Sequence, residues 1–189
     1  MMKKAESLPK TAELGFQQVV DITNPTYQSL QGKYFTGQTG LLGDDPGFNS
    51  WAMLKNPENS GVNLFFDLLT LSNYSADPYV AYTYFNSIPS GTELVSVDVA
   101  SGNTALSPLP IPKSQIKYSR RVSNSPEGGV IAFDRVVGGF FTEKSEFVGR
   151  FIFGPGGALI VYLIPLKPAT ALFSRVAFGW WEEEITTNN

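Results

Sequence analysis

Acid–base chemistry in this chain would fall to carboxylates, because its 189 residues include no histidine and no cysteine. A pair of Asp or Glu side chains can cleave a glycosidic bond without imidazole, one carboxyl acting as acid and the other as base or nucleophile. The candidates are Asp67, Asp98, Asp134, Glu143 and Glu146. Asp67 and Asp134 stand inside apolar runs, where burial would raise a carboxyl pKa. No spacing joins any two of the five. Asp134 lies beside Arg135, and Arg120, Arg121, Arg150 and Arg175 fall on other segments, so cross-strand ion pairs account for these charges. The chain therefore reads as a non-enzyme with no catalytic residue.

Other site chemistries fail on spacing. Asp44, Asp45 and Asn49 offer oxygen ligands, yet a calcium loop needs about six or more oxygens and a closing bidentate Glu. Pro46-Gly47 ends this stretch as a solvated turn. Gly37 to Gly43 lacks the Lys-Ser/Thr and the helix of a phosphate-binding loop, and Gly154-Pro155-Gly156-Gly157 reads as a hairpin turn. The missing His and Cys also exclude imidazole and thiolate metal sites, the usual nucleophilic triads and disulfides. No metal or cofactor is expected.

The segments that would carry these side chains read as strands. Short apolar runs begin after Gly61: Val62–Leu71, Tyr79–Phe85, Leu94–Val99, Ile116–Val122, Val130–Val137, Phe147–Phe153, Ala158–Ile164 and Leu172–Trp181. Period-two alternation, β-branched and aromatic residues, and intervening Gly, Pro, Asn and Ser mark all eight as strands. Evenly spaced strands without intervening helices predict an all-β, antiparallel eight-stranded β-sandwich, most simply a jelly roll. Ala105–Pro112, with three alternating prolines, reads as a stiff crossover between the sheets.

Residues 1–60 differ in composition, being polar and rich in turn residues. They read as an extended N-terminal arm with one strand at Phe16–Ile22, leaving 61–189 as the sandwich domain. The competing reading makes the same residues a first strand and long loops of one domain.

Charge and hydropathy restrict partners. Fourteen Lys and Arg face seventeen Asp and Glu, a formal net charge of -3, with no basic cluster to hold nucleic acid. The longest apolar stretch, Ala158–Leu166, is far short of the ~20 residues of a membrane-spanning helix. The basic start Met1-Met2-Lys3-Lys4 has no apolar run behind it, so no signal peptide is read.

The most distinctive segment is Ala177-Phe178-Gly179-Trp180-Trp181-Glu182-Glu183-Glu184. Adjacent residues on a strand point to opposite faces, so one tryptophan should leave the inner core. An outward Trp suits a subunit interface. The alternative packs one Trp in the sandwich and the other under the arm. Charged residues are only 16% of the chain and aromatics 13%, so outer faces must be covered by something other than solvated charge. Tyr74, Tyr79, Tyr82, Tyr84, Phe140, Phe141 and Phe147 crowd strands and loops; Val62–Leu71, Val130–Val137 and Ala158–Ile164 are apolar on both faces.

From Gly61 to the Gly179-Trp180-Trp181-Glu182-Glu183 ending, about two thirds of its length, the chain resembles uncharacterised small all-β proteins of spore-forming Gram-positive bacteria. An arm followed by an eight-stranded jelly roll is similar to subunits of bacterial endospore appendages and related surface fibres. That resemblance implies a cell- or spore-surface fibre in which an arm or strand of one subunit completes the sheet of the next. Appendage subunits of the best-known type carry cysteines in the arm, and this chain has none, so strand addition and apolar packing would have to suffice.

The expected function is thus a self-assembling structural subunit. Phe16, Val19, Val20, Ile22, Trp180 and Trp181 are its candidate interface residues, and the partner is a second copy. Two other readings remain open. One is a carbohydrate- or surface-binding jelly roll using Trp51, Tyr82 and Tyr84, with Trp180 and Trp181, as stacking platforms. The other is a viral or phage-like structural protein.

Overall fold

In a computed structural model, which describes residues 21–43 and 45–186, the chain forms two antiparallel sheets packed face to face. The elements are α1 (Asn24–Leu30), β1 (Tyr34–Gln38), β2 (Asn49–Lys55), β3 (Val62–Asn73), β4 (Tyr79–Phe85), β5 (Leu94–Val95), β6 (Val99–Ser101), β7 (Gln115–Val122), β8 (Val130–Val137), β9 (Thr142–Phe153), β10 (Ala158–Pro165) and β11 (Ser174–Glu184). One sheet has the order β6-β1-β11-β3-β9 and the other β5-β7-β2-β10-β4-β8.

The expected sandwich is present, with eleven strands among the described residues rather than eight. Setting β5, β6 and β7 aside leaves the four-strand blocks β1-β11-β3-β9 and β2-β10-β4-β8. The chain alternates between these blocks except at β4 and β8, which are neighbours in one sheet, in the manner of a jelly roll, while β5–β7 widen both sheets on one side. The boundary expected at residue 60 falls inside the sandwich. β1 lies between β11 and β6, and β2 between β10 and β7, so residues 34–55 are integral to both layers. Most of the expected strand at Phe16–Ile22 lies outside the described residues; Ile22 itself is exposed and belongs to no strand.

The arm expected to be extended contains a helix, α1. Pro25 occupies its first turn, where a missing N–H costs nothing. The turn closes at Gly32, whose φ of 71° suits the left-handed residue after a helix. The expected strand at Leu94–Val99 divides into β5 and β6. Between them Ser96–Asp98 crosses from one sheet to the other, leaving Val97 in solvent.

The core lies between the layers. Leu64, Phe66, Val176, Phe178 and Trp180 of one sheet meet Ala52, Leu54, Leu159, Val161 and Leu163 of the other. Each large side chain buried there favours folding by about 1.5–3 kcal/mol, offset by the ordering of the chain.

A bulge explains why β3 looked apolar on both faces. Asp67 has no partner in either neighbouring ladder, whose registers pass from Phe66 directly to Leu68. Before it Leu64 and Phe66 face the core; after it Leu69 and Leu71 do. The extra residue switches the parity of the strand, and Asp67 leaves the core-facing row.

Candidate interaction surface

The Gly-Trp-Trp-Glu-Glu segment closes on its own chain. Trp180 is fully buried between the sheets, 6.0 Å from the Phe35 ring. Trp181 turns to the outer face and is buried there as well, stacked on Phe65 at 5.2 Å with the rings 3° from parallel. Its indole reaches across β3 to Gly149 of β9. Neither tryptophan is available as the expected interface. Both are buried within the chain, but the outer one lies against β3 and β9 rather than under the arm of the alternative reading.

The flanking residues lock this arrangement. Gly179 leaves room for Tyr34, whose hydroxyl would lie 2.4 Å from a Cβ there. Tyr34 thus crosses β11 and donates to Asp67 Oδ2 at 2.8 Å. Burial, then the hydrogen bond to Asp67, then the charges of Asp67 and Glu146 push its phenol well above the ordinary value. Glu182 is buried and accepts from the backbone N–H groups of Lys113 and Ser114 and from Trp180 Nε1. Glu183 Oε1 accepts from Gln28 Nε2 of α1 and from Trp181 Nε1.

The candidate stacking residues divide. Trp51 is buried on the outer face of the six-stranded sheet, its Nε1 donating to the carbonyl of Ser90 in the β4–β5 loop. That loop, not an arm, covers Trp51, so it offers no platform. Tyr82 and Tyr84 stay half-buried on the same face, Tyr82 directly opposite Tyr162. Burial, with neighbouring Tyr162 and Tyr82, raises the Tyr84 phenol.

Two of the five candidate carboxylates, Asp67 and Glu146, come near one another, both acting on the Tyr34 phenol across β3 and β9. Asp67 is held by Tyr34; Glu146 is exposed and pairs with Lys144 on its own strand. Asp98 lines an open depression of about 410 Å³ whose other lining residues carry no ionisable group. The expected cross-strand Arg partners do not engage these residues: Arg135 donates to the Asp134 carbonyl, and Arg121 pairs with Asp45. Asn49 Nδ2 donates to the Tyr162 hydroxyl instead of facing Asp45, and Asp44 lies outside the described residues. Among the described residues no three acidic, His or Cys side chains cluster to hold a metal, and no helix is long and apolar enough to cross a membrane.

What remains open is one side of the sandwich. The far side ends in the short strands β5 and β6, joined across the layers. The near side ends in β8 and β9, each paired on one edge only among the described residues. Between them a phenylalanine cluster plugs the gap: Phe133 lies 5.4 Å from Phe147, and Phe151 lies 5.1 Å from Phe147 and 5.0 Å from Phe85. Outside the plug, Val130, Ile131 and Val136 on β8, Val148 and Ile152 on β9, and Phe140 and Phe141 in their connection are all exposed. The apolar character of Val130–Val137 is visible in the sequence, but its place at an edge is not, since sheet order depends on contacts distant along the chain.

Comparison with known proteins gives one result. No curated protein and no solved structure matches the chain. A family model described as a family of unknown function matches residues 7–187, nearly the whole chain, and the protein belongs to that family, DUF6143.

Proposed function

We propose that this protein is a non-enzymatic structural subunit that assembles with copies of itself through the open side of the sandwich, as in a surface fibre. The observation that carries this reading is the pair of unpaired edge strands, β8 and β9, lined by exposed apolar side chains. Such edges template strand addition, and exposed apolar patches on a folded domain mark contact surfaces. Phe16–Ile22, which precedes α1, is the candidate segment to be donated between subunits. Because the chain has no cysteine, the contact would rest on strand pairing and apolar packing.

Light scattering with negative-stain microscopy on the intact chain tests the proposal. Filaments or rings that grow with concentration are the expected outcome, and a monomer at every concentration would refute it. A second reading, a glycan- or surface-binding module, has Tyr82 and Tyr84 in its favour, half-buried on an outer face beside exposed Ile131 and Val136. A monomer whose tyrosine fluorescence responds to a glycan panel would favour that reading.

A further inference from the structure

Three depressions on the β6 side of the sandwich join into one groove. The first, about 410 Å³, has Val97, Val99 and Ala100 in its wall; the second, about 280 Å³, shares Val99 and Ala100 and adds Leu109. The second also shares Pro110 and Ile111 with a third of about 180 Å³, which reaches Gly32 and Lys33 just beyond α1. Val97, 92% exposed, and Ile111, 84% exposed, are the two most exposed large apolar side chains among the described residues, and both line this groove. Apolar side chains gathered at a concavity mark a contact site. No ionisable side chain lines the middle depression, so an uncharged occupant suits it.

What is tethered beside the groove identifies its occupant. α1 is packed against the groove at two points: a Cβ on Gly102, next to β6, would stand 3.2 Å from Ser29 Oγ, and one on Gly32 would stand 2.6 Å from Leu106 and 3.0 Å from Pro110. With seven residues α1 is about 10 Å long, so the chain that leads into it starts roughly one short helix length from the groove. The residues just before Asp21 lie outside the described residues, but their sequence is known. None of residues 14–20 is charged, and Leu14, Phe16, Val19 and Val20 are apolar. Extended, these seven residues span about 23 Å, ample to return along the helix and enter the groove. A tether this short holds them at an effective concentration on the order of millimolar, ahead of any free partner. We propose that residues 14–20 lie extended in this groove of their own chain and cover Val97, Leu109 and Ile111. The proposal concerns a single chain and does not need the assembly reading; it gives the segment named there for donation a seat that donation would have to empty.

A chain without cysteine lends itself to disulfide trapping. Val19→Cys is combined in the full chain with Ala100→Cys or Thr104→Cys, two exposed positions in the groove. The control pairs it with Ile131→Cys, exposed on β8 at the opposite side of the sandwich. Circular dichroism confirms that each variant folds, and mild oxidation is followed by intact mass and non-reducing gels. At least one groove pair should close within the chain about tenfold faster than the β8 pair, at a rate independent of protein concentration. Equal rates for all three pairs, or groove bonds that form only between chains, would overturn the seat in the chain's own groove. The assembly reading fails on a different result. A wild-type chain monomeric at every concentration, whose groove pair still closes internally, would refute assembly and support this proposal.

Discussion

Replacing Gly149 with alanine separates a backbone cost from a packing cost within one strand. Gly149 has φ 71°, a left-handed conformation that costs a side-chain-bearing residue about 1–2 kcal/mol. An added Cβ would also stand 1.9 Å from Cη2 and 2.4 Å from Cζ2 of Trp181, whose indole is already fixed against Phe65. Relieving that overlap means displacing a buried ring, an overpacking cost of about 1–3 kcal/mol. The sum, about 2–5 kcal/mol, corresponds to roughly 2–4 °C of Tm per kcal/mol for a chain of this length, and leaves a domain of ordinary stability folded. Gly61 supplies the control, with φ 69° and nothing within 4 Å of its added Cβ. Gly61→Ala should show the backbone cost alone. Calorimetric melting of both variants is the assay, repeated in a Trp181→Leu background, where the extra cost of Gly149→Ala should largely vanish as in a double-mutant cycle. The reasoning fails if Gly149→Ala costs no more than Gly61→Ala, or if its extra cost persists once the ring is gone.

Two further predictions concern buried polar groups. Glu182→Ala strands two backbone N–H groups and an indole N–H, and urea unfolding should show a loss of roughly 3 kcal/mol or more, against little change for exposed Glu184→Ala. Burial raises the phenol of Tyr34 strongly and that of Tyr79 up to about 12, so the folded state holds these protons when the unfolded chain has released them. Their contribution to stability is therefore complete below pH 10 and is lost as pH rises toward 12 and beyond, by at most about 1.4 kcal/mol per pH unit for each group. Absorbance titration at alkaline pH should show Tyr34 and Tyr79 ionising late and together with unfolding; early ionisation of all eight tyrosines in a folded protein would refute this.

The strands legible in the sequence are those whose environment is uniform along their length. β4, β7, β8 and β10 fall where alternation or an unbroken apolar run places them. β1 was missed because its five residues, Tyr34-Phe35-Thr36-Gly37-Gln38, are too few to display a period. β2 was missed because burial on both faces erases the alternation: Ala52 and Leu54 face the core, while Trp51 and Met53 lie in a second cluster on the outer face. The tryptophan pair shows the same limit. Local geometry correctly sends Trp180 and Trp181 to opposite faces, but what lies over the outer one is decided by Phe65 and Gly149, far off in the chain. Asp67 was legible as a carboxylate in an apolar run, yet the bulge that moves it out of the core-facing row depends on how β3 pairs with two distant strands.

The place of β11 in the sheet has a consequence for biosynthesis. Among the described strands it is the last in chain order, yet it lies between β1 and β3, two of the first three. While the ribosome is still upstream of Ser174, β1 and β3 have no bridge between them, and the core-facing row of Leu64, Phe66, Leu69 and Leu71 lacks the neighbour that completes its layer. Native pairing of β1 and β3 through β11 must therefore wait until translation has passed Glu184, and such non-local contacts place folding among the slower β-sheet topologies. Nascent chains would carry exposed apolar strands for most of their synthesis, the period when holding chaperones have most to do. A truncation that removes β11 should yield an insoluble chain rather than a smaller domain.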